Sequence, residues 1–214
     1  MGAARRTPRR RTGGDVTGAR ICVVGDELVA GAGDPRGLGW VGRVAARTPA
    51  EPAPLVMTLA VPGETTTGLS SRWEVETALR FGPRSDSPHH LVVALGRADL
   101  SAGISLARSR LNLANVLDVA EQKQVATFVV GPPPGTHEDQ GRQAELSSAL
   151  GDVARRRGVP YVDTFTPLVH HEQWLADLAS GDGRVPGQAG YGLMAWLVLH
   201  GGWHRWLGLP DDAA

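Results

Sequence analysis

Short apolar runs alternate with longer segments of helical periodicity along most of this chain. The runs have the length of buried strands, and Gly, Pro or polar residues follow each one. They predict five strands, over residues 19–25, 55–61, 91–95, 125–130 and 159–162. Apolar residues at helical spacing predict helices over residues 40–47, 68–80, 103–123, 142–157, 165–178 and 189–207. Strands that alternate with helices predict a three-layer α/β/α sandwich around a five-stranded parallel sheet.

The first apolar run ends at Gly25, where the acidic pair Asp26 and Glu27 follows. A Gly-rich stretch over residues 31–39 then leads into the first helix. Ligands and reactive groups in α/β folds collect at the carboxyl ends of parallel strands. We therefore expect Glu27 at the mouth of a cleft, on the turn after the first strand. Asp26 is expected to shape that turn by accepting backbone N–H bonds.

Aromatic residues recur along the predicted closing helix at Trp196, Trp203 and Trp206. At this spacing they are expected to pack on the sheet rather than to present a ligand platform. The single cysteine, Cys22, lies inside the first strand, where it is expected to act as a small buried hydrophobic residue. With one cysteine the chain forms no internal disulfide, which favours a reducing, cytoplasmic location.

Charge is unevenly distributed although the net charge is zero. Residues 1–20 hold six Arg against one Asp, a balance of 6 − 1 = +5, so the remainder carries −5. This composition predicts a disordered leader over residues 1–18, one domain over 19–208 and a short tail over 209–214. A solvated extension is the favoured interpretation of the leader, and nucleic-acid contact through it is a weaker alternative. No run reaches the roughly 18 apolar residues of a membrane span.

Four segments together resemble a known family: ICVVGDELVAGAGDPRGLGWVGRV, LAVPGETTTGLSSRW, VVALGRADL and GDGRVPGQAGYGLMAW. In this order and at these intervals they are similar to the conserved blocks of the SGNH, or GDSL, hydrolases, which include esterases and lipases. The likeness runs from about residue 20 to 207. It implies a flavodoxin-like SGNH-hydrolase fold, with the active site at the carboxyl ends of the strands and without a metal or cofactor.

Several positions depart from the family pattern. Where the resemblance places the nucleophilic serine, this chain has Glu27, and Ala98 stands where an oxyanion-binding asparagine would be. Val185 replaces the histidine that serves as general base. Asp182, the carboxylate that would orient that histidine, and Gly63, a backbone donor to the oxyanion, are retained. A serine esterase mechanism needs a hydroxyl and an imidazole, so we expect it to be absent.

The predicted fold brings Glu27 and Asp182 to the same edge of the sheet. Two carboxylates in a partly dry cleft tend to hold one proton, so the pair is a candidate acid and base for proton transfer, ring opening or cyclisation of a small molecule. The alternative is an inert pseudo-hydrolase that binds a small ligand or a protein partner. In that case Arg97 or Arg184 is expected to neutralise Glu27. His170 and His171 are expected to be solvated surface residues, and no His spacing predicts a metal site.

Overall fold

The computed structural model describes residues 18–82 and 87–210. Its parallel sheet contains five strands, which are β1 (Arg20–Gly25), β2 (Leu55–Ala60), β3 (His89–Ala94), β4 (Ala126–Val130) and β5 (Tyr161–Val162). They lie in the order β2-β1-β3-β4-β5. The predicted sheet is therefore confirmed, with strand ends that differ by one or two residues. The third strand begins earlier than expected, because His89 and His90 pair with Arg20 and Ile21 of β1.

This strand order places a topological switch point between β1 and β3. The chain leaves β1 toward β2 on one side and returns through β3 on the other, so the loops after the two strands diverge and leave a crevice at their carboxyl ends. β1 and β3 run close together there, since a Cβ on Gly25 would lie 2.1 Å from the carbonyl oxygen of Ala94. Glycine at position 25 therefore allows the close approach of the two strands at the crevice.

Helices cover both faces of the sheet. They are α1 (Gly39–Ala45), α2 (Thr66–Phe81), α3 (Ala98–Ser101), α4 (Leu106–Gln122), α5 (Gln140–Arg156), α6 (Phe165–Leu168), α7 (Glu172–Ala179), α8 (Gln188–Val198) and α9 (His204–Trp206), with a π-helical segment, Leu199–Trp203, between the last two. One apolar core joins Ile21 and Val23 of β1 to α1, α7 and α8. The other joins Cys22 and Val24 to α2, α4 and α5. The alternation of buried side chains along β1 thus supplies both cores, and Cys22 is fully buried as expected.

Three predicted helices are interrupted in the structure. The segment 103–123 begins as a turn, because Gly103 has a φ of +67° and Ser105 then caps α4 through a bond from Arg108 N. The segment 165–178 divides into α6 and α7. The closing helix 189–207 changes to π-helical geometry after Val198, and Gly202 within that segment has a φ of +100°. Apolar periodicity continues through these breaks, which is why it did not reveal them.

The tryptophans of the closing helix do not all pack on the sheet. Trp203 is buried, and both Trp203 and Trp206 contact the ring of Phe128 on β4. The prediction was wrong for Trp196, which is 56% exposed. Its ring stacks on His200 one turn later, at 4.2 Å between centroids. Trp196 lies on the outer face of α8, whose inner face carries the buried residues Tyr191, Met194, Ala195 and Val198.

Except for Gly18, the predicted leader lies outside the described residues, as do residues 211–214 of the predicted tail. Within the described part of the chain, no helix has the length and apolar character needed to cross a membrane.

Candidate active-site cleft

A small cleft opens at the carboxyl edge of the sheet, at the switch point. Its volume is about 80 Å³, and it is lined by Asp26, Glu27, Leu28, Gly63, Arg97, Ala98, Ser101, Glu138 and Arg184. Five segments contribute these residues: those after β1, β2, β3 and β4, and the α7–α8 loop, which closes the rim through Arg184. Most ligand pockets for drug-sized molecules measure about 300–1,000 Å³. The cleft therefore has room for a group of only a few non-hydrogen atoms.

Glu27 projects from the turn after β1 and is half-buried. Its Oε2 accepts a 2.6 Å hydrogen bond from the backbone N–H of Gly63, in the turn after β2. Among the residues that the structure describes, this is the one hydrogen bond of the Glu27 side chain, and no arginine forms an ion pair with it. Oε1 is left available to a ligand. The Glu27 carboxylate thus accepts the hydrogen bond that Gly63 N–H would otherwise offer to a ligand in the cleft.

Asp26 lies directly behind Glu27 and is 7% exposed. Its Oδ1 accepts a bond from Leu28 N at 3.0 Å, so it shapes the turn as expected. Its Oδ2 packs against Gly96, where a Cβ would approach it to 1.7 Å. Burial, and next the negative charge of Glu27, raise the pKa of the Asp26 carboxyl to about 7. Near neutral pH a fraction of the Asp26 carboxyl groups is therefore protonated, and the adjacent Asp26 and Glu27 side chains together carry less than two full negative charges.

Arg97 forms the opposite wall and is bound by groups other than Glu27. Its guanidinium donates to the carbonyl oxygens of Pro133 at 3.0 Å and Arg184 at 2.8 Å. Its Nε lies 3.3 Å from Oε2 of Glu138. Gly135 passes directly over the guanidinium, since a Cβ there would come within 2.5 Å of Nε. Arg97 therefore joins the loop after β4 to the α7–α8 loop across the rim.

The α7–α8 loop is held at three successive carbonyls. His137 Nε2 lies 2.8 Å from the carbonyl oxygen of Asp182, Thr136 Oγ1 donates to that of Gly183 at 3.0 Å, and Arg97 donates to that of Arg184. The Asp182 carboxylate turns into its own loop and accepts bonds from Arg184 N at 2.9 Å and Val185 N at 3.4 Å. These backbone donors, the one from Arg184 first, lower the pKa of Asp182. Asp182 is therefore an exposed, ionised carboxylate in a fixed loop.

Behind the cleft, Asp99 anchors a buried polar network. It is 2% exposed and accepts bonds from Thr66 N and Thr66 Oγ1, both at 2.7 Å, and from Ser109 Oγ at 2.5 Å. Asn112 donates to Thr66 Oγ1 at 3.0 Å. The network ties the start of α2 to α3 and α4. It fixes the turns that carry Gly63 and Ala98 into the cleft.

The structure brings six of the eight residues singled out in the sequence to one cleft: Asp26, Glu27, Gly63, Arg97, Ala98 and Arg184. Asp182 and Val185 belong to the adjoining loop and are not among the residues that line it. His170 and His171 are exposed on the surface. Sequence reasoning missed Glu138 and the contact of His137 with the Asp182 loop. Their position just after β4 was a usable signal, because that loop ends at the same edge of the sheet.

The described residues contain no group of three or more His, Cys, Asp or Glu side chains arranged to hold a metal ion. In the cleft itself, Glu138 is turned toward Arg97 and Glu27 toward Gly63. The arrangement therefore offers hydrogen-bonding and ionisable groups to a ligand.

Comparison with known proteins identifies the fold and the family. Residues 23–193 match the sequence model of the GDSL-like lipase/acylhydrolase family. No curated protein matches the chain significantly.

Solved structures share the fold at low sequence identity. An acetylxylan esterase from Geobacillus stearothermophilus is 17% identical with a TM-score of 0.72, covering 92% of this chain and 98% of its own. A psychrotrophic esterase from Pseudoalteromonas sp. is 18% identical with a TM-score of 0.69, covering 88% and 98%. A lipase/acylhydrolase from Enterococcus faecalis is 22% identical with a TM-score of 0.68, covering 87% and 96%.

Proposed function

The chain belongs to the GDSL-like lipase/acylhydrolase family, and from that premise we propose that its cleft binds a small polar molecule and does not hydrolyse esters through a serine. The observation that carries this proposal is the 2.6 Å bond from Gly63 N to the Glu27 carboxylate. The family resemblance gives Gly63 N–H the task of stabilising an oxyanion. Here that donor already serves a resident anion, which would repel a second negative charge forming beside it.

One further cleft position and one position in the adjoining loop support the same conclusion. Ala98 lines the cleft without a side-chain donor, and the loss of one oxyanion donor costs on the order of 3 kcal/mol of transition-state stabilisation. Val185 has no proton acceptor for a nucleophile. The esterase and lipase activities in the names of the similar structures belong to those proteins, and at 17–22% identity the likeness extends to the fold alone.

Ester hydrolysis provides the first test. The unmodified chain is expected to hydrolyse p-nitrophenyl acetate no faster than buffer, whereas the triple variant Glu27→Ser, Ala98→Asn, Val185→His is expected to gain activity above that background. Hydrolysis by the unmodified chain that persists in Glu27→Ala would contradict the proposal, because another nucleophile would then be acting.

Binding provides the second test. A screen of compounds of up to about six non-hydrogen atoms, followed by heteronuclear NMR, is expected to give saturable shifts at Gly63 and Ala98 that Glu27→Ala removes. Shifts that are the same in Glu27→Ala would place the ligand elsewhere on the protein.

A second candidate is general acid–base catalysis by Glu27 together with Asp182, acting on a small molecule by proton transfer, ring opening or cyclisation. The pKa of about 7 at Asp26, directly behind Glu27, favours it, since a proton donor is then present near neutral pH. With its lowered pKa, Asp182 suits the role of base or fixed charge better than that of acid. If the unmodified chain hydrates 1,2-epoxypropane and Glu27→Gln does not, this candidate is supported. Equal hydration rates in the unmodified chain and in Glu27→Gln would contradict it.

Two further interpretations of the sequence remain predictions: the cytoplasmic location, which depends on the single cysteine, and the weaker alternative of nucleic-acid contact through the Arg-rich leader, which apart from Gly18 lies outside the described residues. Exchange of the five arginines at positions 5, 6, 9, 10 and 11 for Gln in the full chain tests the latter. If the leader contacts nucleic acid, the exchange removes that binding and leaves the thermal unfolding curve unchanged.

A further inference from the structure

The cleft carries two opposite charges that are not paired with each other. Glu27 uses one oxygen on Gly63 N, and among the described residues no cation forms an ion pair with it. Arg184 lines the same cleft. Its backbone is fixed by Asp182 and Arg97. Its exposed guanidinium helps to lower the pKa of the nearby Asp182 carboxyl, but among the described residues it forms no hydrogen bond and no close ion pair. Charged groups that line a small cavity without a protein partner are suited to a charged ligand.

The remaining charged groups of the cleft are already satisfied. Each of the three nitrogens of the Arg97 guanidinium already donates a bond, to Glu138, Pro133 O and Arg184 O, so Arg97 and Glu138 have protein partners. Asp26 is bonded to Leu28 N and is largely buried behind Glu27. Asp182, the acid whose charge acts on Arg184, is bonded to its own loop and is not among the residues that line the cleft. Among the lining residues, the charged side chains left for recognition are therefore Glu27 and Arg184.

We propose that the cleft binds a small zwitterion of the amino-acid type, with its ammonium group on Glu27 and its carboxylate on Arg184. This inference rests on the proposed binding function and names its ligand class. A guanidinium donates two parallel bonds to a carboxylate, and a carboxylate accepts charge-assisted bonds from an ammonium group. The volume of about 80 Å³ favours a ligand as small as glycine or alanine over one with a large side chain.

The arrangement also predicts selectivity against ligands that carry only one of the two charges, such as methylammonium or acetate. A cation alone leaves Arg184 without a partner, and an anion alone meets the negative charge of Glu27 inside the cleft. A zwitterion satisfies both groups at once and brings no net charge into the site. We therefore expect glycine to bind more tightly than methylammonium or acetate, and phenylalanine not to bind.

The test is a titration of the full-length protein with glycine, methylammonium, acetate and phenylalanine, followed by heteronuclear NMR at Gly63, Ala98 and Arg184. Three variants are titrated in parallel: Glu27→Gln, Arg184→Gln and, as a matched control, Arg36→Gln, whose exposed side chain lies outside the cleft. Glycine affinity is expected to fall at least about tenfold in each cleft variant, since each loses a charge-assisted bond. The control is expected to retain it. Thermal unfolding of each variant verifies that it is folded.

The titrations with methylammonium and acetate distinguish failure of this inference from failure of the proposed function. Glycine binding that is unchanged in Arg184→Gln overturns the zwitterion, as does an absence of glycine binding to the unmodified chain. If methylammonium or acetate then binds in a Glu27-dependent way, the cleft is still a binding site and only the ligand class is wrong. If glycine binds with equal affinity to all three variants, the interaction lies outside the cleft and the inference is overturned.

Discussion

The carboxylate of Glu27 and the backbone N–H of Gly63 are joined by a 2.6 Å hydrogen bond across 36 residues of sequence. The bond links the turn after β1 to the turn after β2 at the edge of the sheet where the strands end. It places a fixed negative charge inside the cleft and uses a donor that an incoming anion would otherwise contact. The electrostatics of the neighbouring groups depend on that charge.

Neutralising Glu27 is expected to lower the pKa of Asp26. In Glu27→Gln the amide oxygen still accepts the bond from Gly63 N, but the charge that helps to hold the Asp26 pKa near 7 is gone. Burial, the larger cause, remains, so the pKa should fall without reaching the usual value near 4. Carboxyl ¹³C chemical shifts followed against pH measure the change. Glu145→Gln, on the exposed face of α5, is the control. An identical Asp26 titration in all three proteins would contradict the coupling.

The raised pKa of Asp26 also predicts how stability depends on pH. Between about pH 4 and pH 7 the folded protein retains the Asp26 proton that the unfolded chain releases, so the folded state binds more protons. This contribution is fully present below the unfolded pKa and is lost as pH rises through about 7, with a slope of up to about 1.4 kcal/mol per pH unit. In Asp26→Asn this contribution should be absent, so the difference in unfolding free energy between the two proteins should change with pH. Urea unfolding at pH 5 and pH 8 measures it, and parallel curves for both proteins would refute the assignment.

Removing the Arg97 side chain is expected to free the α7–α8 loop. Arg97→Ala deletes the donors to Pro133 O and Arg184 O and leaves Glu138 without its cation. Bonds from a charged donor contribute about 1.5–3 kcal/mol each, so we expect a loss of unfolding free energy of a few kcal/mol. Amide hydrogen exchange at Arg184 and Val185 should accelerate. The control is Arg36→Ala, which removes an exposed arginine elsewhere and should leave exchange at the Arg184 and Val185 amides unchanged. Slow exchange at these amides in Arg97→Ala would show that Thr136 and His137 suffice to hold the loop.

Asp99 is expected to be more important for stability than a surface carboxylate. Oδ1 of Asp99 accepts from Thr66 N, and Oδ2 accepts from the Thr66 and Ser109 hydroxyls. The amide of Asp99→Asn has one acceptor oxygen, so its NH₂ group is placed against a donor in a buried site. We expect a loss of about 2–4 kcal/mol in unfolding free energy. Asp152→Asn, which alters an exposed ion pair with Arg155, is the control and should cost less than about 1 kcal/mol. Equal losses for the two variants would show that the network contributes little.

Local sequence determined the sheet, both cores and the position of Glu27. Alternating burial along β1 requires apolar residues on two faces, and Gly25 ends that strand, so the acid two residues later must lie at the carboxyl edge. The alternation along β1 and the end of that strand at Gly25 both follow from a single segment of chain. They could therefore be predicted without knowing what packs against that segment. The breaks in the helices at residues 103–105 and after Val198 were missed, because apolar spacing does not report backbone geometry.

Only the tertiary structure decided which charged groups pair. Arg97 was a candidate partner for Glu27, yet it binds Pro133, Glu138 and Arg184, which lie 36, 41 and 87 residues away. Asp182 turns toward its own backbone, and Glu138 enters the cleft from a loop that carries no motif. Pairing energies depend on distances of a few ångströms between loops from separate parts of the chain. Residue type and spacing establish that an acid is present at the sheet edge, whereas its charge state and partners depend on how those loops meet.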